Sequence, residues 1–220
     1  MGHWTKLDTA HGQVSAWRAE PSGTPLGSIV VIQEIFGVNA HIRSTAEDFA
    51  TQGYVALAPA YFDVIETGVE LGYDTDGIAK GRELITQLGL EAAVDITAAA
   101  ARELAKIGGK VGTVGYCWGG TVALLAALRL GLPSASYYGA RNVPFLQETP
   151  RAPVIFHFGE RDTSIPPEML ALHREHLPQM SLHTYPAGHG FNCNVRADYD
   201  APSAALARQR TLAFFSEHLT

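Results

Sequence analysis

The chain has 220 residues, a length that suits one α/β domain better than two. Hydrophobic residues make up 46% and charged ones 17%, which allows a buried core and excludes an intrinsically disordered chain. A formal net charge of −6, with no basic stripe, argues against nucleic acid as a partner.

The longest apolar runs, such as Thr121 to Leu128, fall far short of the roughly 20 residues needed to span a bilayer. The start, Met1-Gly2-His3-Trp4-Thr5-Lys6, has no apolar signal core and carries Lys where myristoylation needs Ser or Thr. The expected location is the cytoplasm, with no membrane partner. Two cysteines cannot build a disulfide framework, so the question becomes what each thiol does. Nine histidines include no His-Glu-x-x-His motif, and no Cys-x-x-Cys pair occurs. His173 and His176, one helical turn apart, read as an exposed helix face. No metal is expected.

In chain order, Lys6–Asp8 and Gln13–Ala19 alternate around a His11-Gly12 turn and predict an antiparallel edge hairpin. Ser28–Gln33 is a β-branched run suited to a buried parallel strand. A helix follows over Ala40–Gln52, closed by Gly53, and then a second buried strand, Tyr54–Pro59. From Ala60 to Gly89 the pattern is broken, with helical character around Ile78–Leu88. Leu90–Ile107 has helical periodicity, Lys110–Val114 reads as a strand, and Gly119–Leu130 as an apolar helix. Strands are expected at Ala135–Tyr138, Val154–His157 and Ser181–Tyr185, with helices at Pro167–His176 and Ala201–His218. Strands alternating with helices predict a single α/β domain over residues 1–220, a mostly parallel sheet covered on both faces. Ligands bind beyond the carboxyl ends of such strands, so reactive groups should lie just after them.

Three do. Gly115-Tyr116-Cys117-Trp118-Gly119-Gly120 joins a strand to a helix in the form of a nucleophile elbow, with Cys in the place of Ser. The start of the helix favours a thiolate there through its dipole and free N–H groups. A nucleophilic thiol needs a base, and the base needs an orienting acid. Asp162 follows strand Val154–His157, and His189 follows strand Ser181–Tyr185. The order nucleophile, acid, base is that of the α/β-hydrolase fold. Glu160 is the rival acid, and His157, inside a strand, the rival base. Oxyanion amides are expected from Trp118 and, in the loop after the first buried strand, from Ile35. Glu34 beside it either takes the thiol proton or hydrogen-bonds the loop; the residues alone leave both open.

Together, Gln33-Glu34-Ile35-Phe36-Gly37, the Cys117 elbow, Tyr137-Tyr138-Gly139, the Asp162 loop and Gly188-His189-Gly190-Phe191 resemble the dienelactone hydrolases (carboxymethylenebutenolidases). The resemblance runs over nearly the whole chain. It implies a lidless α/β-hydrolase fold, a monomer, no cofactor, and a lactone or ester as substrate. It implies Cys117, Asp162 and His189 as the catalytic triad, Ile35 and Trp118 as oxyanion-hole amides, and Glu34 as the group that deprotonates the thiol once substrate binds. Phe36, Arg82, Tyr138 and Arg141 are the expected substrate-binding residues.

The chain also departs from the family. Arg82 stands where the first of two carboxylate-binding arginines is expected, but Cys193 occupies the position of the second, four residues beyond the His. Gly190 replaces the Ser that follows the His, and the expected aromatic residues fall near Thr86 and Gly89. A thiol cannot replace a bidentate guanidinium, so Arg141 or Arg196 is the substitute to look for. The reading is a hydrolase that opens a lactone or ester through a thioester. The rivals are a general carboxylesterase or thioesterase, a redox sensor pairing Cys117 with a Cys193 near the pocket mouth, and a pure binding protein.

Overall fold

In the computed structural model, which describes residues 1–220, one eight-stranded sheet organises the chain. The strands are β1 (His3–Thr9), β2 (Gly12–Ala19), β3 (Gly27–Ile32), β4 (Tyr54–Pro59), β5 (Val111–Tyr116), β6 (Ser134–Tyr137), β7 (Val154–Gly159) and β8 (Ser181–Tyr185). Their order across the sheet is β1-β2-β4-β3-β5-β6-β7-β8. The β1–β2 hairpin and the β2–β4 pair are antiparallel, and every other pair is parallel. The hairpin lies at the edge, as its polar-apolar alternation predicts. This is an α/β-hydrolase fold.

The helices are α1 (Ala40–Thr51), α2 (Thr75–Leu88), α3 (Leu90–Ala105), α4 (Trp118–Leu125, continued by one π turn over Ala126–Leu130), α5 (Pro167–His176) and α6 (Ala201–Leu219). Side chains that alternate along β3 feed two cores. Ile29 and Val31 pack with Ile42 and Phe49 of α1 and Phe215 of α6; Val30 and Ile32 pack with Leu84 of α2 and Ile96 of α3. Strands buried on both faces carry the unbroken apolar runs of the sequence. Caps fix where helices start: Asn39 Oδ1 accepts from the Ile42 N–H at 3.2 Å, and Asp74 Oδ1 from the Gly77 N–H at 2.8 Å.

Most predicted boundaries shift by one or two residues. The largest difference lies in 60–77, where a 3-10 turn at Tyr61–Val64 and an α2 beginning at Thr75 carry order that the apolar pattern does not mark. His173 also departs from expectation. It is buried rather than exposed, with Nδ1 against the Met169 carbonyl at 2.7 Å and Nε2 against Asn142 at 3.1 Å. No single helix is long and apolar enough to cross a membrane.

Candidate active site

Strand β5 runs directly into Cys117, which caps α4 with φ 56° and ψ −117°, a region that side-chain-bearing residues rarely occupy. The glycines make this turn possible. A Cβ on Gly115 would overlap the Gly119 carbonyl, and one on Gly119 would overlap the carbonyls of Gln33 and Ile32. The start of α4 therefore packs tightly on the end of β3. Trp118, the first residue of the helix, and Ile35 both line the cavity that contains Cys117. Amides in the first helical turn have no intrahelical acceptor.

The Cys117 sulfur lies 3.1 Å from His189 Nε2. On the far side of the ring, Nδ1 meets Asp162 Oδ2 at 2.7 Å, and the other Asp162 oxygen accepts from the Ser164 N–H at 2.8 Å. The carboxylate is buried, and the imidazole side chain is 16% exposed at the cavity wall. Burial opposes charging of His189, but its contacts with Cys117 and Asp162 outweigh that cost and raise its pKa to about 10.

The rival residues lie elsewhere. Glu160 is exposed and accepts from Thr184 Oγ1 at 3.1 Å. His157 is fully buried, between Tyr185 Oη at 2.8 Å and Thr211 Oγ1 at 2.9 Å, and burial holds its pKa well below the usual value.

Glu34 is completely buried and has its partners in hand. One oxygen accepts from the Tyr73 hydroxyl at 3.0 Å, and the other meets Arg196 Nη1 at 3.3 Å. Burial, reinforced by the Glu34 charge, keeps the Tyr73 phenol protonated and donating. Tyr73 in turn accepts from Asn39 at 3.0 Å and packs on Phe36 at 4.4 Å between ring centroids. Sequence patterning gave no signal for Tyr73, which sits in the irregular stretch before α2.

The cavity over Cys117 holds about 360 Å³. Ile78, Arg82 and Ile85, spaced four and three residues apart on α2, share one face and line one wall. Phe36, Arg141 and Arg196 also line it. Tyr138 does not. It is fully buried at φ 40°, packs on the His189 ring at 5.1 Å between centroids, and its hydroxyl has no hydrogen-bond partner. Tyr138, an expected substrate contact, thus packs against His189 just past the end of β6 rather than among the residues that line this cavity. Cys193 is likewise buried, not at the cavity mouth.

Residues 14–219 match the model of the dienelactone hydrolase family. The chain belongs to this family. A carboxymethylenebutenolidase from Pseudomonas putida is 36% identical, over 89% of this chain and 88% of that protein. Carboxymethylenebutenolidase 1 from Cupriavidus pinatubonensis is 31% identical, over 91% and 90%. The crystal structure of a Klebsiella pneumoniae protein assigned as a dienelactone hydrolase superposes with a TM-score of 0.88 at 28% identity, covering 99% of each chain. The protein is a hydrolase acting on carboxylic esters.

One of the two residues expected to stand in for the second arginine, Arg196, lies at this cavity. Arg196, seven residues beyond His189 rather than four, reaches Glu34 and the cavity. Gly190, at φ 77°, lies against it: a Cβ there would come 2.8 Å from the Arg196 guanidinium.

Proposed function

We propose that the protein opens a lactone or ester bearing a carboxylate, by acyl transfer through Cys117. The observation that carries this reading is the hydrogen-bonded chain Cys117–His189–Asp162, at 3.1 and 2.7 Å, whose first two members line one cavity with Arg82, Arg141 and Arg196. Three guanidinium groups around one cavity in an acidic protein favour an anionic substrate. Ile35, Phe36, Ile78 and Ile85 supply the apolar surface for its ring.

In this mechanism His189 holds the Cys117 proton, and the thiolate attacks the carbonyl carbon. The amides of Trp118 and Ile35 stabilise the oxyanion. The carbon–oxygen ring bond breaks, the leaving oxygen takes the proton from His189, and a thioester remains on Cys117. Asp162 keeps the imidazole in the required tautomer while His189 activates water to release the acid. Glu34 is the alternative acceptor for that one thiol proton, freed for the role once a substrate carboxylate draws Arg196 away from it. The ion pair that Arg196 makes with the buried Glu34 supports that role.

The test is ring opening of a dienelactone followed by ultraviolet absorbance, with wild type beside Cys117→Ala. Clear wild-type turnover that disappears in the variant is expected. Turnover of neutral p-nitrophenyl esters in preference to any acidic lactone would replace the reading with that of a general carboxylesterase.

A further inference from the structure

Three side chains from separate parts of the sequence meet beside the cavity: Glu34 after β3, His41 in the first turn of α1, and Cys193 in the loop after His189. One ligand-type atom from each, a carboxylate oxygen, an imidazole nitrogen and the thiol sulfur, all lie within 4.8 Å of one another. Glu34 and Cys193 are fully buried. His41 Nε2 is also buried and has no hydrogen-bond partner, an orphaned polar atom of the kind that native interiors rarely leave. The hydrolytic mechanism uses neither His41 nor Cys193.

We propose that Glu34, His41 and Cys193 form a binding site for a thiophilic divalent cation of the zinc class, and that its occupation reversibly inhibits the hydrolase. The inhibitory half rests on the reading of Glu34 given above; the binding half does not.

The chemistry matches the donor set. Thiolate, imidazole and carboxylate are the three ligand types that zinc takes, at about 2.0–2.3 Å. Donors around a tetrahedral ion sit about 3.5 Å apart, so the trio needs only small side-chain movements to close. Burial keeps His41 neutral, with its lone pair available. Burial, with Glu34 nearby, keeps the Cys193 thiol protonated. The ion displaces that proton to solvent and accepts lone pairs from the sulfur, a Glu34 oxygen and His41 Nε2, with water completing the shell. No oxidation state changes. Thiolate and carboxylate then balance the double positive charge.

The opposing charge is Arg196, 3.3 Å from Glu34. A cation held by Glu34 competes directly with that pair and occupies the carboxylate that would otherwise accept the Cys117 proton. Tyr73, which donates to Glu34 at 3.0 Å, is neutral and adds no repulsion. Of the three ligands, His41 borders a second cleft of about 410 Å³, lined also by Asn194, Asp48 and Arg208. There Asp48 and Arg208 neutralise each other across 2.6 Å. The mixed donor set with sulfur selects zinc and cobalt over magnesium and calcium, which prefer oxygen alone.

The experiment is titration of the EDTA-treated full chain with cobalt(II), read by absorbance and proton release. Wild type and Cys117→Ala should both develop the intense near-ultraviolet thiolate-to-cobalt band, with about one proton released per ion. Cys193→Ser should lose the band, and His41→Ala should bind more weakly by at least about tenfold. Thermal melts in EDTA establish that each variant is folded, and proton release from wild type needs no variant. A band that survives Cys193→Ser and vanishes in Cys117→Ala would place the metal on the nucleophile and overturn the site, as would no band at all. Zinc should then suppress wild-type turnover, with EDTA restoring it and Cys193→Ser resisting it. Cobalt bound through Cys193 with turnover unchanged would leave the site standing and refute both the inhibition and the role of Glu34.

Discussion

Replacing Arg196 with Met strips a fully buried carboxylate of its counter-ion while keeping most of the aliphatic bulk. The Arg196 side chain is 18% exposed and Glu34 is 0% exposed, so the larger part of the loss falls on Glu34. Breaking a buried pair costs about 3–5 kcal/mol. With Tyr73 still donating at 3.0 Å, a loss at the lower end, about 3 kcal/mol, is expected. In a domain of this size that lowers Tm by about 6–12 °C. Glu34→Gln alone should cost only about 1 kcal/mol, because Arg196 can turn to solvent, and the double variant should cost little more. Calorimetric melts of all four proteins, in EDTA at pH 7, measure this. Additive single losses would show that the pair does not govern Glu34.

Arg82→Ala should raise KM for an acidic lactone by about tenfold, with kcat changed less, because a charged contact of about 1.5 kcal/mol or more is lost; an unchanged KM in steady-state assays would remove Arg82 from substrate binding. Tyr138→Phe deletes a buried hydroxyl without a partner, so Tm should hold or rise by a few degrees and KM should not move. A rise in KM would restore Tyr138 as a substrate contact. For His189, the folded pKa of about 10 lies above its ordinary value of about 6.5. Its charged form therefore adds stability that is fully present below pH 6.5 and is lost as the pH rises through about 10. The stability advantage of wild type over His189→Ala should fall across that window in urea titrations; an advantage that grows with pH would contradict the raised pKa of His189.

Where local backbone chemistry dictates residue type, the site was legible in the sequence. Gly115 and Gly119 stand where a side chain would collide with the turn, and so mark the Cys117 elbow. Asp162 and His189 were legible because they follow parallel strands at the end where such sheets place their ligands. The β1–β2 hairpin followed from strict alternation. Groups whose roles depend on the path of an irregular loop were less legible. Arg196 stands three residues beyond the position where the second arginine is expected, in a loop that turns at Gly190 with φ 77°, and there it reaches Glu34. Tyr73 precedes α2 in a stretch with no apolar period, so its bond to Glu34 has no sequence signal. His173 has helical spacing to His176 that suggests an exposed face, yet Phe156 and Phe158 cover its ring at 5.0 and 4.9 Å between centroids. Glu34, His41 and Cys193 fall in no metal-binding motif, since three separate segments bring them together.

The central claim is that the Cys117 sulfur carries the acyl group. Rapid acid quenching of wild type during turnover of a slow lactone, followed by peptide mass spectrometry, tests it most directly. The account predicts an adduct of substrate mass on the peptide containing Cys117, removable by hydroxylamine and absent in Cys117→Ala, which should also be inactive. Full-rate turnover by Cys117→Ala, or an adduct confined to Cys193, would contradict it.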